Sequence, residues 1–413
     1  MVRKRNGRAG GLAIGNNPGR SRSHNRRVVL EAIRLQGPAG RAEIARLSHL
    51  TAQAVSNIAG ELIEEGLLIE QGRLRTGRGQ PPVQLAVNPD GGFTVGVEIA
   101  ADHIVMVLVD LAGNKRAERF IAAPNADPAH TVPLLADGIA ELRRNGGGAG
   151  RSLGIGVVMP GPFEIEGLSS VGPTTLPGWI GVDAASLIAE ATGEAVTVEN
   201  DATAAAVGER LHGIVREVRD FCLIYFGVGL GLGIVVDGRP YRGAFGNAGE
   251  VGHLTVVPNG KPCFCGNRGC LERYASLYAL QEKFREAGRP LPDLSTLADL
   301  HRAGDPLLLR WLDDAARHLA PMVSLLENLF DPQTIVFAGA LPDVLIDALI
   351  DRMSPLPLSV ASRRRAMARV MRGESGKYAA ALGAAALPLL ETVTPKLDMA
   401  PVAVKGDAHA VGS

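Results

Sequence analysis

Three cysteines crowd into eight positions, Cys263-Phe264-Cys265-Gly266-Asn267-Arg268-Gly269-Cys270, and His253 stands ten residues before the first of them. Three thiolates and one imidazole match a closed tetrahedral zinc site, and a reducing compartment keeps the thiols available. Gly266 and Gly269 permit the tight turns that bring close cysteines around one ion. With four protein ligands the metal has no open position, so its expected role is structural, positioning neighbours such as Glu250 and Glu272. Free structural thiols are the plainer alternative. A second concentration of chemistry is Glu199-Asn200-Asp201, at the junction of a strand and a helix. An Asp at the C-terminal end of a strand faces the crevice of an α/β sheet, where its carboxylate accepts hydrogen bonds from hydroxyls or acts as a base. The same Asp201 also suits a plain helix N-cap.

The chain that must position these groups has 413 residues, 46% of them hydrophobic, with 43 basic and 43 acidic side chains and four cysteines. Four cysteines are too few for a disulfide scaffold. The longest apolar run, Cys222 to Val236, is shorter than a membrane span, is interrupted by glycines and is bounded by Asp220 and Asp237. The N-terminus is basic without the continuous apolar core of a secretory signal, so a cytoplasmic protein is expected. Zero net charge hides an asymmetry: residues 1–80 hold 14 Lys or Arg against 6 Asp or Glu. A basic head on an acidic body suits an approach to polyphosphate, since neutralising phosphates supplies most non-specific nucleic-acid affinity.

Residues 1–23 show no apolar period and read as a disordered basic tail. Val28, Val29, Ala32, Ile33 and Leu35 then fall at helical spacing over Asn25 to Leu35, and Gly37-Pro38 ends that helix. A short helix covers Arg41 to Leu47. Thr51 is placed to cap a third, running to about Glu65, with Val55, Ile58 and Leu62 on one face and Gly66 as its stop. Leu67–Glu70 and Val83–Val87 read as strands joined by a basic, glycine-rich loop. This is helix, helix-turn-helix and wing. Gln53, Ser56 and Asn57 lie off the core face of the third helix, where amides reach base edges in a major groove. Arg73, Arg75 and Arg78 in the wing offer charge and planar donors to a narrow minor groove.

From Phe93 the texture becomes α/β. Phe93–Asp110 reads as a strand, a polar turn at Ala101-Asp102-His103, and a second strand; Phe221–Asp237 repeats that plan with a glycine-rich turn. Two such openings suggest a duplicated fold, with a ligand cleft between its lobes. Leu153–Met159, Ala195–Glu199 and Ile335–Ala338 read as further strands, and Asp201–Leu211 as an alanine-rich helix.

Gly154-Ile155-Gly156-Val157-Val158-Met159-Pro160-Gly161-Pro162, Glu199-Asn200-Asp201-Ala202, Gly249-Glu250-Val251-Gly252-His253 and the cysteine segment ending at Leu271-Glu272 together resemble the ROK family of repressors, open reading frames and kinases. The resemblance runs from about Arg26 to Leu390. It implies a two-lobed, actin-like (sugar kinase/ribonuclease H-like) body behind an N-terminal winged helix-turn-helix. It also implies that Asn200, Asp201, Glu250, His253 and Glu272 contact sugar hydroxyls, that His253 shares zinc with Cys263, Cys265 and Cys270, and that Asp201 corresponds to the kinases' catalytic base. The departures are equally informative. The kinases hold ATP phosphates on an Asp-x-Gly-Gly-Thr turn, but this chain reads Glu98-Ile99-Ala100-Ala101-Asp102. Their Gly-Thr-Gly turn is here Gly227-Val228-Gly229, their nucleoside-side Gly-Gly is Gly339-Ala340, and Thr175 precedes Leu176-Pro177-Gly178-Trp179 where family members often have Asn.

The expectation is therefore an α/β chain with a disordered tail (1–23), a DNA-binding head (24–90), a first lobe (91–200) completed by a helix near 376–391, a second lobe with structural zinc (201–375) and a flexible end (392–413). It acts as a sugar-responsive, catalytically silent repressor. Its partners are a double-stranded DNA operator, a sugar or sugar phosphate effector and other copies of itself in a homodimer or tetramer. An ATP-dependent sugar kinase using Asp201 is the alternative. Some family repressors instead sense a protein partner, and the zinc region is where this chain could do so.

Overall fold

In a computed structural model, residues 21–73, 83–123, 125–147, 150–161, 176, 178–179, 181–290, 293–361 and 365–393 are described. The chain divides into two compact units between Val87 and Asn88, three residues before the expected boundary at residue 90.

The N-terminal unit holds helices α1 (Ser21–Gln36), α2 (Arg41–Ser48) and α3 (Ala52–Glu64) and strands β1 (Ala39–Gly40), β2 (Leu68–Arg73) and β3 (Val83–Val87), in the antiparallel order β1-β3-β2. Val28, Val29, Ile33, Ile44, Val55 and Leu62 are buried, so the helical spacing of apolar residues does set the core faces. Thr51 caps α3 by accepting a 3.2 Å hydrogen bond from the Ala54 N–H, and Gly66 follows with φ +74°, a conformation that glycine adopts without strain. Helix α1 starts at Ser21, inside the stretch expected to be a tail. Its first turns are held by charge: Arg22 and Arg26 pair with Glu61 at 2.6 and 2.9 Å, and Arg26 with Glu65 at 2.5 Å. Apolar periodicity cannot register such contacts.

The second unit contains two sheets of one plan. The first comprises β4 (Phe93–Ile99), β5 (His103–Asp110), β6 (Lys115–Ala122), β7 (Ser152–Met159) and β8 (Val196–Asn200), ordered β6-β5-β4-β7-β8. The second comprises β9 (Phe221–Phe226), β10 (Leu230–Val236), β11 (Arg239–Pro240), β12 (Thr334–Gly339) and β13 (Val370–Arg372), ordered β11-β10-β9-β12-β13. In each, an antiparallel pair opens the sheet and two parallel strands extend it. That is the duplication expected from the two strand-turn-strand segments.

Helices α4 (Pro128–Asn145) and α5 (Ala184–Thr192) cover the outer face of the first sheet, where Leu135, Ile139 and Ile188 meet Val95, Val97 and Ile155. Helices α7 (Glu272–Ala275), α8 (Leu277–Glu286), α9 (Leu294–Arg302), α10 (Pro306–Phe330) and α11 (Asp343–Arg352) cover the outer face of the second, around Trp311, Phe284 and Phe337. Strand β9 serves two cores by its period of two: Cys222, Ile224 and Phe226 face these helices while Phe221, Leu223 and Tyr225 face inward. Between the sheets lie α6 (Asp201–His212) and α12 (Ala379–Val393). The latter packs on Val105, Val107 and Val109 of the first sheet and on Leu223 and Val336 of the second. The two central helices approach closely enough that a Cβ at Gly383 would lie on the Ala204 carbonyl, and one at Gly208 would strike the Ala379 carbonyl. Only glycine fits there, which explains the run of small residues in both helices. Among the described residues no helix is long and apolar enough to cross a membrane.

Candidate functional site

A cavity of about 620 Å³ opens between the two sheets. The β8–α6 junction delivers its central groups. Asn200, and not Asp201, is the N-cap of α6: the Asn200 side-chain oxygen accepts a 3.1 Å hydrogen bond from the Thr203 N–H. This corrects the N-cap alternative for Asp201. One residue into the helix, Asp201 accepts a 2.7 Å bond from the Ala202 N–H with one oxygen and lines the cavity. Burial, followed by the charges of Glu98 and Glu250, pushes its carboxyl up to about 7. Glu250 and His253 come from a short helical turn between β11 and α7, and Glu272 opens α7; all three line the same cavity. Burial raises Glu250 and Glu272 as well. The fold thus brings Asn200, Asp201, Glu250, His253 and Glu272 into the lining of one cavity.

The same cavity is lined by the two turns expected to have lost their phosphate chemistry, 100–102 and 227–229, and by Ala340. Ala100 and Ala101 stand where the kinases' first turn has glycines, and Asp102 and Val228 where the two turns have hydroxyls. Glu98, on β4, accepts a 2.6 Å hydrogen bond from the Tyr225 phenol, and burial raises its pKa. Asp102 Oδ1 lies 2.6 Å from His103 Nδ1, which holds the Asp102 carboxyl low. Burial pulls the His103 imidazole down, but its bond to Asp102 and the charge of Glu98 leave it raised. Glu98, Tyr225 and Phe120 were not singled out as site residues from the sequence. The available signal was Glu98 itself, an ionisable residue inside the apolar strand Phe-Thr-Val-Gly-Val-Glu-Ile.

His253, Cys263, Cys265 and Cys270 form a cluster whose four donor atoms lie within 4.8 Å of one another. Cys263 Sγ is 3.6 Å from His253 Nδ1, and Cys265 Sγ is 3.6 Å from Cys270 Sγ. Donors around one tetrahedral zinc stand about 3.5 to 3.8 Å apart, given metal–ligand bonds of roughly 2.0 to 2.3 Å. The donor set and spacing therefore fit a metal ion. Turns hold it in shape: the Cys263 N–H donates to the Asn267 carbonyl at 2.8 Å and the Gly266 N–H to Cys263 at 3.1 Å. His253 belongs both to this cluster and to the cavity wall.

In the N-terminal unit, Gln53 and Asn57 are exposed on α3 and bonded to each other, Gln53 Nε2 donating to Asn57 Oδ1 at 2.9 Å, with Ser56 half-buried beside them. Arg73 is the last residue of β2. Arg75, Arg78 and Thr175 lie outside the described residues.

Two like sheets around a pair of central helices, with a carboxylate-lined cavity between them, define a two-lobed, actin-like α/β protein. The chain belongs to the ROK family, whose model matches residues 94–390. The xylose repressor of Bacillus subtilis (strain 168) is 28% identical over 365 residues, 87% of this chain and 93% of the repressor. A solved ROK family transcriptional regulator, a homologue of the E. coli MLC protein, matches with a TM-score of 0.68 at 26% identity over 91% of this chain and 99% of its own. The ROK hexokinase from Thermus thermophilus matches with a TM-score of 0.55 at 30% identity over 72% of this chain and 98% of its own. The likeness to the regulator thus extends past the share of the chain that the hexokinase matches.

Proposed function

We propose that this chain is a sugar-responsive transcriptional repressor with a kinase-like body. What carries the reading is the asymmetry of the cavity lining: the proposed sugar-side set of Asn200, Asp201, Glu250, His253 and Glu272 is present, while Ala100, Ala101 and Asp102 stand where a kinase has two glycines and a hydroxyl. The greater coverage of the regulator and the xylose repressor supports an added DNA-binding head. In that head α1 to α3 with the strands β2 and β3 serve as a winged helix-turn-helix. Gln53, Ser56 and Asn57 face the bases, and Arg73, Arg75 and Arg78 face the phosphates and minor groove. Residues 91–200 with the helix near 376–391 form one sugar-closing lobe and 201–375 the other. The cytoplasmic repressor acts as a homodimer or tetramer on a two-fold operator, with the sugar favouring one arrangement of the heads over the other.

Zinc is the metal best suited to the His253, Cys263, Cys265 and Cys270 set, where it would cross-link the loop behind Glu250 and Glu272 without an open position for chemistry. One observation favours a second reading as a sugar kinase: a half-buried, cavity-lining Asp201 poised at about 7 is what a general base requires. A mobility-shift titration of the chain's own upstream region, with and without a sugar panel, tests the first reading, and ADP release over the same panel tests the second. A specific shifted band altered by one sugar, with no ADP release, is expected. ADP release abolished by Asp201→Asn, with no specific band, overturns the repressor.

A further inference from the structure

One end of the cavity accounts for a sugar; the other holds groups to which that role assigns nothing. We propose that the phosphate-side end is a second glycosyl subsite, so that the effector is an unphosphorylated disaccharide or longer glycoside. This rests on the sugar-sensor reading and narrows it to a ligand class.

Size is the first observation. A cavity of about 620 Å³ falls in the range that houses a drug-sized ligand, roughly 300–1,000 Å³, and exceeds what one pyranose ring fills. Glu98 is the second. It is 5% exposed, lines the cavity, and uses only Oε1 on the Tyr225 phenol; Oε2 is buried with no partner. Buried acceptors are ordinarily satisfied, and a ligand hydroxyl would satisfy this one. The third is Phe120. It is 53% exposed on the cavity wall, its ring stacked on His103 with centroids 5.2 Å apart and planes 19° from parallel, and His103 is in turn fixed by Asp102. A fixed, flat apolar ring beside carboxylate acceptors suits a pyranose, whose C–H face lies on the ring while its hydroxyls donate to the carboxylates.

This end also disfavours phosphate. Asp102 adds negative charge where the kinases' turn carries a hydroxyl. Among the described lining residues there, the cationic groups are His103, already engaged by Asp102, and Lys377, whose Nζ stands 5.2 and 5.7 Å from the ring centroids of Tyr378 and Phe120. A sugar phosphate or nucleotide would meet the Asp102 carboxylate where it needs a hydroxyl donor.

Titration calorimetry on the full chain decides this, using glucose, xylose, cellobiose, xylobiose, maltose, gentiobiose, glucose 6-phosphate and magnesium-ATP as probes. At least one disaccharide should bind ten-fold or more tightly than its own monosaccharide. Phe120→Ala, at an exposed position with little stake in folding, should erase that advantage and leave the monosaccharide affinity within two-fold. Glu98→Gln should weaken the disaccharide in the same selective way. Equal affinities for monosaccharide and disaccharide, no binding by any disaccharide, tightest binding by glucose 6-phosphate, or a Phe120→Ala variant with an intact disaccharide preference would each overturn the subsite. A monosaccharide that alters operator binding while no disaccharide does so removes the subsite and keeps the sensor; magnesium-ATP turnover without any sugar effect on operator binding removes both.

Discussion

The phenol of Tyr225 on β9 donates a 2.6 Å hydrogen bond to Glu98 Oε1 on β4, so one buried polar pair joins the two sheets at the floor of the cavity. Burial holds the tyrosine well above its usual range, which keeps it a donor, and raises the glutamate too. Tyr225→Phe leaves a buried carboxyl with neither partner. Urea unfolding at pH 8 should show a loss of about 1–3 kcal/mol. The loss should shrink as the pH falls and Glu98 takes up a proton, since a neutral carboxyl is cheaper to bury. An equal loss at pH 5 and pH 8 would mean that charge has no part in it.

Asp201 makes the opposite test, because here removing a charge should help. A folded-state pKa of about 7, above the unfolded value of about 3.9, means that the native state binds more protons. Its favourable contribution is complete below the unfolded value and is lost as the pH rises through 7. Asp201→Asn retains an oxygen for the Ala202 N–H and cannot ionise. The variant should match the wild type near pH 4 and become progressively more stable than it up to about pH 8, by denaturant midpoint at constant slope. A variant that loses stability across that range contradicts the buried-charge account.

Much of this was legible in the residues. The two strand-turn-strand segments and the third helix with its Thr51 cap follow from period-two and helical spacing, and the cysteine spacing brings its four donors together as written. The start of α1 was not, because Arg22 and Arg26 are ordered by Glu61 and Glu65, some forty positions away. The cap of α6 reads as Asp201 alone in the sequence, whereas the adjacent Asn is an equally good cap; backbone placement gives it to Asn200. The pairing of Glu98 with Tyr225 joins positions 127 apart, and no local pattern encodes it.

Purified protein should carry one zinc per chain by elemental analysis. Cys270→Ser should lower that content well below one, and a strong chelator should lower the melting temperature of the wild type without affecting the variant further, because a metal that binds only the folded state stabilises it by mass action. A wild type indifferent to chelation and free of metal would return the cysteines to ordinary buried thiols.

For the head, Asn57→Ala also releases Gln53 from its 2.9 Å partner. Operator selection with this variant should relax preference at one base position, at a cost of about 1–3 kcal/mol. Arg78→Ala should instead weaken binding to all sequences alike and reduce the slope of affinity against salt by about one. If both variants changed sequence preference and neither changed the salt slope, the wing would not be on the phosphates.

Gly208 and Gly383 leave the helices between the sheets in contact through bare backbone. A survey that shortens side chains one at a time would find little to remove there, and would score as silent the place where the halves of the body are joined. The informative changes run the other way. A single added methyl, as in Gly383→Ala, has nowhere to go except into the neighbouring main chain, so this seam can be damaged by enlargement and hardly at all by loss.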